Sequence, residues 1–352
     1  MKKLATMILM AVLAVALAAC GGSNASNSAG GDSAGGATAS QETATSAPSS
    51  GESAEPASVE VTDASGNKVT VPVNPKSVVS LDNRTFETLE AWGVKLAAVP
   101  KAVMSADSVY VKDDSVQDVG SHTEPKLEVI AAVNPDLVIV GQRFARYYED
   151  IKKLVPQAAV INLNFDVSAD DGTAGEKLVN GFKDTTAMLG QIFGKNEEAA
   201  ALNAKFDQAL EAAKAAYNGS DTVMSVIVSG GNIGYAAPHN GRVWGPLYDL
   251  FGWKPALEIN NSTTDHQGDE VSVEAIAQSN PDWLMVLDRD AAISSQENKI
   301  PAHEVIAKSA ALQNTKAVSQ NRIVYAPADT YTNESIQTFI EIFEAIATAM
   351  KP

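Results

Sequence analysis

The sequence predicts an α/β protein of two Rossmann-like lobes, each a parallel sheet covered by helices, joined by a long helical segment. Three observations carry this reading. Short β-branched runs alternate with amphipathic segments along most of the chain. The stretch LEVIAAVNPDLVIVGQR, from Leu127 to Arg143, returns as VEAIAQSNPDWLMVLDR, from Val273 to Arg289, with eight of seventeen positions identical at an offset of 146 residues. Between the two copies, residues 173–218 read as helix without a strand. A length of 352 residues agrees with more than one core.

The N-terminal residues belong to neither lobe. Lys2 and Lys3 precede an apolar run from Leu4 to Ala19, which reads as a secretory signal because it is short and rich in small residues. It ends in LAAC, and this resembles the lipobox of bacterial lipoproteins, in which the cysteine carries the lipid. Cys20 is the only cysteine, so no disulfide forms within the chain and lipidation accounts for an exported thiol. Residues 1–19 are therefore expected to be a signal peptide. Residues 20–58 are expected to be a lipidated cysteine followed by a disordered Ser/Gly/Ala tether. Nothing in that tether is large enough to offset the entropy of ordering it, and as a coil it would reach on the order of 35 Å.

The first lobe is expected over 59–172. SVVSLD (Ser77 to Asp82) reads as a strand, TFETLEAWG as a helix stopped by Gly93, and VKLAAVP as a strand. A helix ending near Ala132 and the strand LVIVG follow. A helix from about Ala145 to Val155 and the strand AAVINLN complete the unit. The helical linker, 173–218, carries apolar positions three and four apart at Leu178, Phe182, Met188, Leu189, Ile192 and Phe193, then a segment rich in strong helix formers. The second lobe, 219–352, restarts with TVMSVIVSGG and NIGYAA and continues with the helix WGPLYDLFG closed by Gly252. The repeated helix and strand come next, then a helical region through Leu312, the strand RIVYAP and the closing helix SIQTFIEIFEAIATAM.

Composition narrows the function. With 43 Asp and Glu against 26 Lys and Arg, the net charge of −17 argues against a nucleic-acid partner. No GxGxxG follows a strand, and GxxxxGKS and HExxH are absent, so nothing argues for an enzyme. Four scattered histidines (His122, His239, His266, His303) and one cysteine build no standard zinc site.

On an acidic background, gathered arginines stand out. The repeat places Arg143 and Arg289 just past the carboxyl ends of equivalent strands, the edge at which open α/β sheets hold ligands. The segments GQRFARYYED, SGGNIGYAAPHNGRVWG, TTDHQGDE and PADTYTNES reach the same edge and add Arg146, Arg242, Trp244, His266 and Tyr331. A guanidinium presents a planar fork of donors suited to carboxylate, phosphate or catecholate oxygens. The bland alternative for each is a surface ion pair, Arg289 with Asp288 or Asp290 and Arg146 with Glu149. Trp244, with Leu247 and Phe251 at helical spacing, has a core reading beside a cleft-lining one.

Taken together, LAAC, the tether, VTDASGNKVTVPVNPKSVVSLD, VGSHTEPKLEVIAAVNPDLVIVG and NPDWLMVLDR resemble the substrate-binding lipoproteins of ABC importers for ferric siderophores. Within them the chain is most similar to the catecholate and petrobactin-type group. The resemblance runs from about Val59 to the C-terminus. It implies the class III periplasmic-binding-protein fold, a ferric siderophore as ligand with no intrinsic cofactor, and an ABC permease and its ATPase as partners. It also implies lipid anchoring at the outer face of the cytoplasmic membrane. Its three ligand-binding arginines match Arg143 (Arg146 being a register rival), Arg242 and Arg289, and Arg84 and Asn83 after the first strand are further candidates. His266 and Tyr331 match positions that complete iron coordination in some members, Tyr331 with a shift of about one residue. Acidic residues that dock the permease would correspond to Glu87 or Glu90 and to Glu270 or Glu274. The alternatives on the same fold are a haem, corrinoid or metal-ion receptor. A lipoprotein enzyme is the alternative from another class.

Overall fold

The computed structural model describes residues 57–167, 173–293 and 299–351. The expected signal peptide, Cys20 and nearly all of the tether lie outside them. A two-stranded antiparallel hairpin, β1 (Ser58–Thr62) with β2 (Lys68–Pro72), precedes two five-stranded sheets.

The first sheet holds β3 (Val78–Leu81), β4 (Ala98–Val99), β5 (Gln117–Asp118), β6 (Leu137–Val140) and β7 (Ala159–Asn162), all parallel in the order β5-β4-β3-β6-β7. The second holds β8 (Thr222–Ser229), β9 (Asn232–Tyr235), β10 (Lys254–Pro255), β11 (Trp283–Asp288) and β12 (Ile323–Tyr325). Its order is β10-β8-β11-β12, and β9 folds back on β8 as an antiparallel hairpin. NIGYAA thus enters the sheet as the return arm of a hairpin. Gly230 and Gly231 make the turn possible by taking φ of 58° and 77°.

Both faces of each sheet are covered, which is why the strands read as continuous apolar runs. Side chains alternate between faces with period two. Val78, Leu137 and Ile139 enter one core, and Val79, Leu81, Val138 and Val140 the other. Val223, Ile227 and Met285 oppose Met224, Val226 and Leu284 in the same way.

The repeat has a structural explanation. In both copies the helix ends on an asparagine in the left-handed conformation, Asn134 (φ 45°) and Asn280 (φ 46°), and proline then prevents the helix from continuing. The aspartate that follows clips the start of the neighbouring strand. Asp136 accepts from the backbone of Lys76 and Ser77, at 2.8 and 3.0 Å, beside β3. Asp282 accepts from the backbone and hydroxyl of Thr222 at 2.9 Å, at the start of β8. The motif therefore sets the register of β6 on β3 and of β11 on β8.

The helical segment consists of two helices. Ala174–Ile192 places Leu178 and Phe182 in the core beside the second sheet, and Leu189 and Ile192 in the core beside the first. This helix therefore crosses between the halves. After a turn at Gly194 (φ 61°), Asn196–Ala216 buries Phe206, Leu210 and Ala213 against the second half only, beside Phe343 of the closing helix Ile336–Ala349.

Candidate functional site

In each sheet the chain moves outward from a central strand and then restarts on its other side. The reversals fall between β3 and β6 and between β8 and β11. Such switch points open a crevice beyond the strand ends. Arg84 follows β3 and Arg143 follows β6. Ser229 ends β8 and Arg289 follows β11. The fourth arginine, Arg242, stands on the loop between β9 and the helix Gly245–Phe251.

These side chains converge on Tyr331, in the short helix Thr330–Asn333. The guanidinium carbons of Arg242, Arg289 and Arg143 lie 4.4, 5.0 and 5.7 Å from the centre of its ring. All three are within the range in which a cation is attracted to an aromatic face. The Tyr331 carbonyl accepts from Arg143 at 3.0 Å and from Arg242 at 3.2 Å. One residue of the second half thus gathers arginines from both halves.

Glu334 completes the cluster. Its carboxylate, buried at 9 % exposure, pairs with Arg242 and lies 3.8 Å from Arg84. Arg84 also donates to the Phe165 carbonyl at 3.3 Å and stacks on the Phe165 ring at 4.2 Å. Arg289 donates to Ser229 at 3.0 Å and lies 3.8 Å from the buried Asp290. Four guanidiniums therefore face Glu334 and Asp290, and the Nε atoms of Arg84, Arg242 and Arg289 are buried without a hydrogen-bond partner. Buried donors are rarely left so. Burial first, and then the charge of Arg242, push the Arg143 guanidinium below its ordinary range, whereas Glu334 and Tyr331 act the other way.

Beneath Arg84 sits Asp82, at the end of β3. It accepts from the Arg84 backbone at 3.2 Å, and its other oxygen has no partner. Burial pushes its carboxyl up to about 6 against the opposing pull of Arg84. Gly141 makes room for it, since a β-carbon there would overlap the Asp82 carboxyl.

The structure sorts the sequence-derived candidates. It brings Arg84, Arg143, Arg242, Arg289 and Tyr331 together, with Asn83 at the margin of the crevice. Arg146 is exposed and turned away, donating to the His122 carbonyl and lying over Tyr147 at 4.7 Å, so Arg143 is the member of the pair that enters the cluster. Trp244 departs from its cleft-lining reading. It is fully buried with Leu247 and Phe251 in the apolar core, because the chain turns inward immediately after Arg242. The turn is strained, with φ of 71° at His239 and 65° at the β-branched Val243. Trp244 therefore anchors the loop that presents Arg242. His266 lies exposed on a turn in which Asp265 accepts from the Gln267 backbone, and Thr264 is the residue of that loop lining the crevice. Among the described residues no group of three or more His, Cys, Asp or Glu side chains is placed to hold a metal ion.

Glu334 is the member of the cluster that the sequence does not single out. The available signal was weak: one carboxylate between Tyr331 and the serine that caps the closing helix, in a segment already expected at the strand ends.

The ring of Tyr331 gathers three guanidiniums, and the resemblance implies a second role, its hydroxyl on iron, that a substitution separates from the first. As a platform for three guanidiniums Tyr331 needs its ring; as an iron ligand it needs its hydroxyl. Tyr331→Phe is expected to change affinity for a ferric chelate by less than about threefold, whereas Tyr331→Ala is expected to lower it by roughly tenfold through lost cation–π support. A tenfold loss in the phenylalanine variant, measured by fluorescence titration, would assign the hydroxyl a direct role instead.

The chain resembles proteins of known structure and binding. It is 28 % identical to the petrobactin-binding protein YclQ of Bacillus subtilis over 94 % of this chain and 93 % of that one. To the ferric-anguibactin-binding protein FatB of Vibrio anguillarum it is also 28 % identical, over 77 % of this chain and 81 % of the relative. The crystal structure of YclQ superposes with a TM-score of 0.69 at 26 % identity, covering 84 % of this chain and 99 % of the other. A family model described as periplasmic binding protein matches residues 78–330. With two α/β halves meeting at paired switch points, this chain belongs to the periplasmic binding protein family and is a binding protein, not an enzyme.

Proposed function

We propose that the protein is a siderophore receptor of an ABC iron-uptake system, and that its ligand is a ferric chelate of catecholate type. The observation that carries the reading is the convergence of Arg143, Arg242 and Arg289 on one tyrosine ring, in a chain of net charge −17. Three catecholates on ferric iron leave a charge of about −3. At an effective dielectric near 20, one charge pair at 4 Å contributes roughly 4 kcal/mol before desolvation. Charge thus selects the chelate, and the unpaired guanidinium hydrogens supply directed donors to catecholate oxygens. The names of the petrobactin-binding YclQ and the ferric-anguibactin-binding FatB support a siderophore as the ligand.

The accompanying proposals concern delivery. A lipid on Cys20 and the tether to residue 58 would hold the receptor at the outer face of the cytoplasmic membrane, where an ABC permease and its ATPase accept the chelate unchanged. No helix of the described residues is long and apolar enough to cross a membrane. The lobes would be 59–172 and 219–352 about the segment 173–218.

Quenching of tryptophan fluorescence tests the ligand class. A hexadentate ferric tris-catecholate is expected to bind with a Kd in the nanomolar range, and haem and cobalamin are expected to leave the signal unchanged. Saturable binding of haem or cobalamin in place of the chelate would turn the assignment to a tetrapyrrole or corrinoid receptor.

A further inference from the structure

We infer that Glu334 is a resident anion of the cleft and the residue that sets how strongly ligand charge is rewarded. The inference rests on reading the arginine cluster as an anion site, and it deepens that reading by naming what an incoming anion must displace. The carboxylate divides between the two halves of the molecule, one oxygen on Arg242 and the other 3.8 Å from Arg84, which follows β3. The Tyr331 carbonyl, three residues earlier, takes hydrogen bonds from Arg143 and Arg242. The segment from Tyr331 to Glu334 therefore offers the guanidiniums a carboxylate and a carbonyl, the same chemistry an oxygen-rich anionic ligand would offer.

The base beneath this segment is firm. The Ser335 hydroxyl accepts from the Thr338 backbone at 3.0 Å, starting the closing helix, and donates to Glu87 at 2.7 Å across the halves. Glu334 is thus held in place without needing the arginines to position its backbone. The crevice enclosed by Arg84, Arg143, Arg242 and Glu334 has only about 10 Å³ of free space, and the adjoining one, which Phe165 and Asn240 also line, about 240 Å³. Ligand sites are commonly ~300–1,000 Å³. A trianionic chelate that reaches these guanidiniums finds the space among them already filled by the carboxylate, and draws them from it onto its own oxygens.

Two consequences follow from elementary electrostatics. An anionic ligand competes with Glu334 for the guanidiniums of Arg242 and Arg84, whereas a neutral ligand can bind with those pairs left in place. Once displaced, Glu334 remains beside the cleft and repels the bound anion, which weakens retention and favours release. Glutamine at this position keeps the size and one acceptor oxygen but removes both effects.

The test compares Glu334→Gln with the wild type against a hexadentate tris-catecholate ferric chelate of charge −3 and a neutral hexadentate trihydroxamate ferric chelate. Affinity for the trianion is expected to rise about tenfold in the variant, and affinity for the neutral chelate by less than twofold. The salt dependence of trianion binding is expected to steepen. Glu334→Asp keeps the charge and is expected to retain the wild-type ratio between the two chelates. An unchanged or smaller ratio in the glutamine variant would overturn the inference, because a carboxylate that only supports the fold would weaken both ligands alike. Should Glu334→Gln lose cooperative urea unfolding, Glu334→Ala carries the same expectation. If wild type and variant both ignore both chelates, the siderophore reading fails by itself. Glu334 is then judged by citrate, whose stabilisation of the thermal midpoint is expected to be larger in the glutamine variant, and equal shifts overturn it.

Discussion

Replacing Arg143 and Arg289 together by alanine is expected to weaken binding of a trianionic ferric catecholate by about 10²–10⁴-fold, with little change for a neutral ferric trihydroxamate. These are the equivalent arginines of the internal repeat, one from each half, and both guanidiniums rest on the Tyr331 ring. A hydrogen bond to a charged group contributes roughly 1.5–3 kcal/mol, and two such losses give the stated range if they add. They add imperfectly, because side chains in one cluster are coupled. Arg143 and Arg242 repel one another, so removing Arg143 also relieves a cost. Arg289→Ala leaves the buried Asp290 without its arginine, although the Gly230 backbone still donates to it at 2.5 Å. Urea unfolding of the double variant therefore accompanies the titration. A loss of the same size for the neutral chelate would show damage to the cleft rather than loss of charge recognition.

The second large effect is on stability and depends on pH. Asp82 is wholly buried below Arg84, and its carboxyl is raised from 3.8 to about 6, chiefly by burial. A raised folded value means that the folded protein binds the proton more tightly than the unfolded chain. This contribution to stability is fully present below the unfolded value near 4 and is lost as pH rises through about 6. The two-unit difference corresponds to about 3 kcal/mol in scale. Asp82→Asn removes the titration, so its stability relative to wild type is expected to improve by about 2–3 kcal/mol between pH 4 and pH 7. Urea midpoints of both proteins at the two pH values measure this directly. A constant difference would mean that Asp82 is ionised throughout and neutralised by Arg84. The groups that bear on it are Arg84, which favours the anion, and Glu334, which opposes it. The same carboxyl therefore couples the floor of the cleft to its charge.

Much of the strand pattern was legible because both faces of each sheet are buried, so β-branched runs mark strands without ambiguity. The repeat around Asn134-Pro135-Asp136 and Asn280-Pro281-Asp282 was legible as a repeat, but its purpose was not, because the aspartate's partners lie about 60 positions earlier in the chain. The antiparallel direction of β9 is hidden in the sequence for a related reason. A hairpin arm and a parallel strand have the same local composition, and only the glycine pair at 230–231 distinguishes them. Trp244 and Arg242 are two positions apart and face opposite environments, a separation produced by a backbone turn with positive φ at Val243 that periodicity does not encode.

The sequence by itself determined the two α/β units, the helical segment between them and the arginines at the strand ends, since these follow from local periodicity and from the direction of parallel strands. Tertiary structure alone decided that the arginines meet on Tyr331, that Arg143 and not Arg146 does so, and that Glu334 lies among them. The physical reason is that charge acts through space over a few ångströms. Residues as far apart in the chain as Arg84 and Glu334 become partners only when two sheets and a crossing helix bring their ends together.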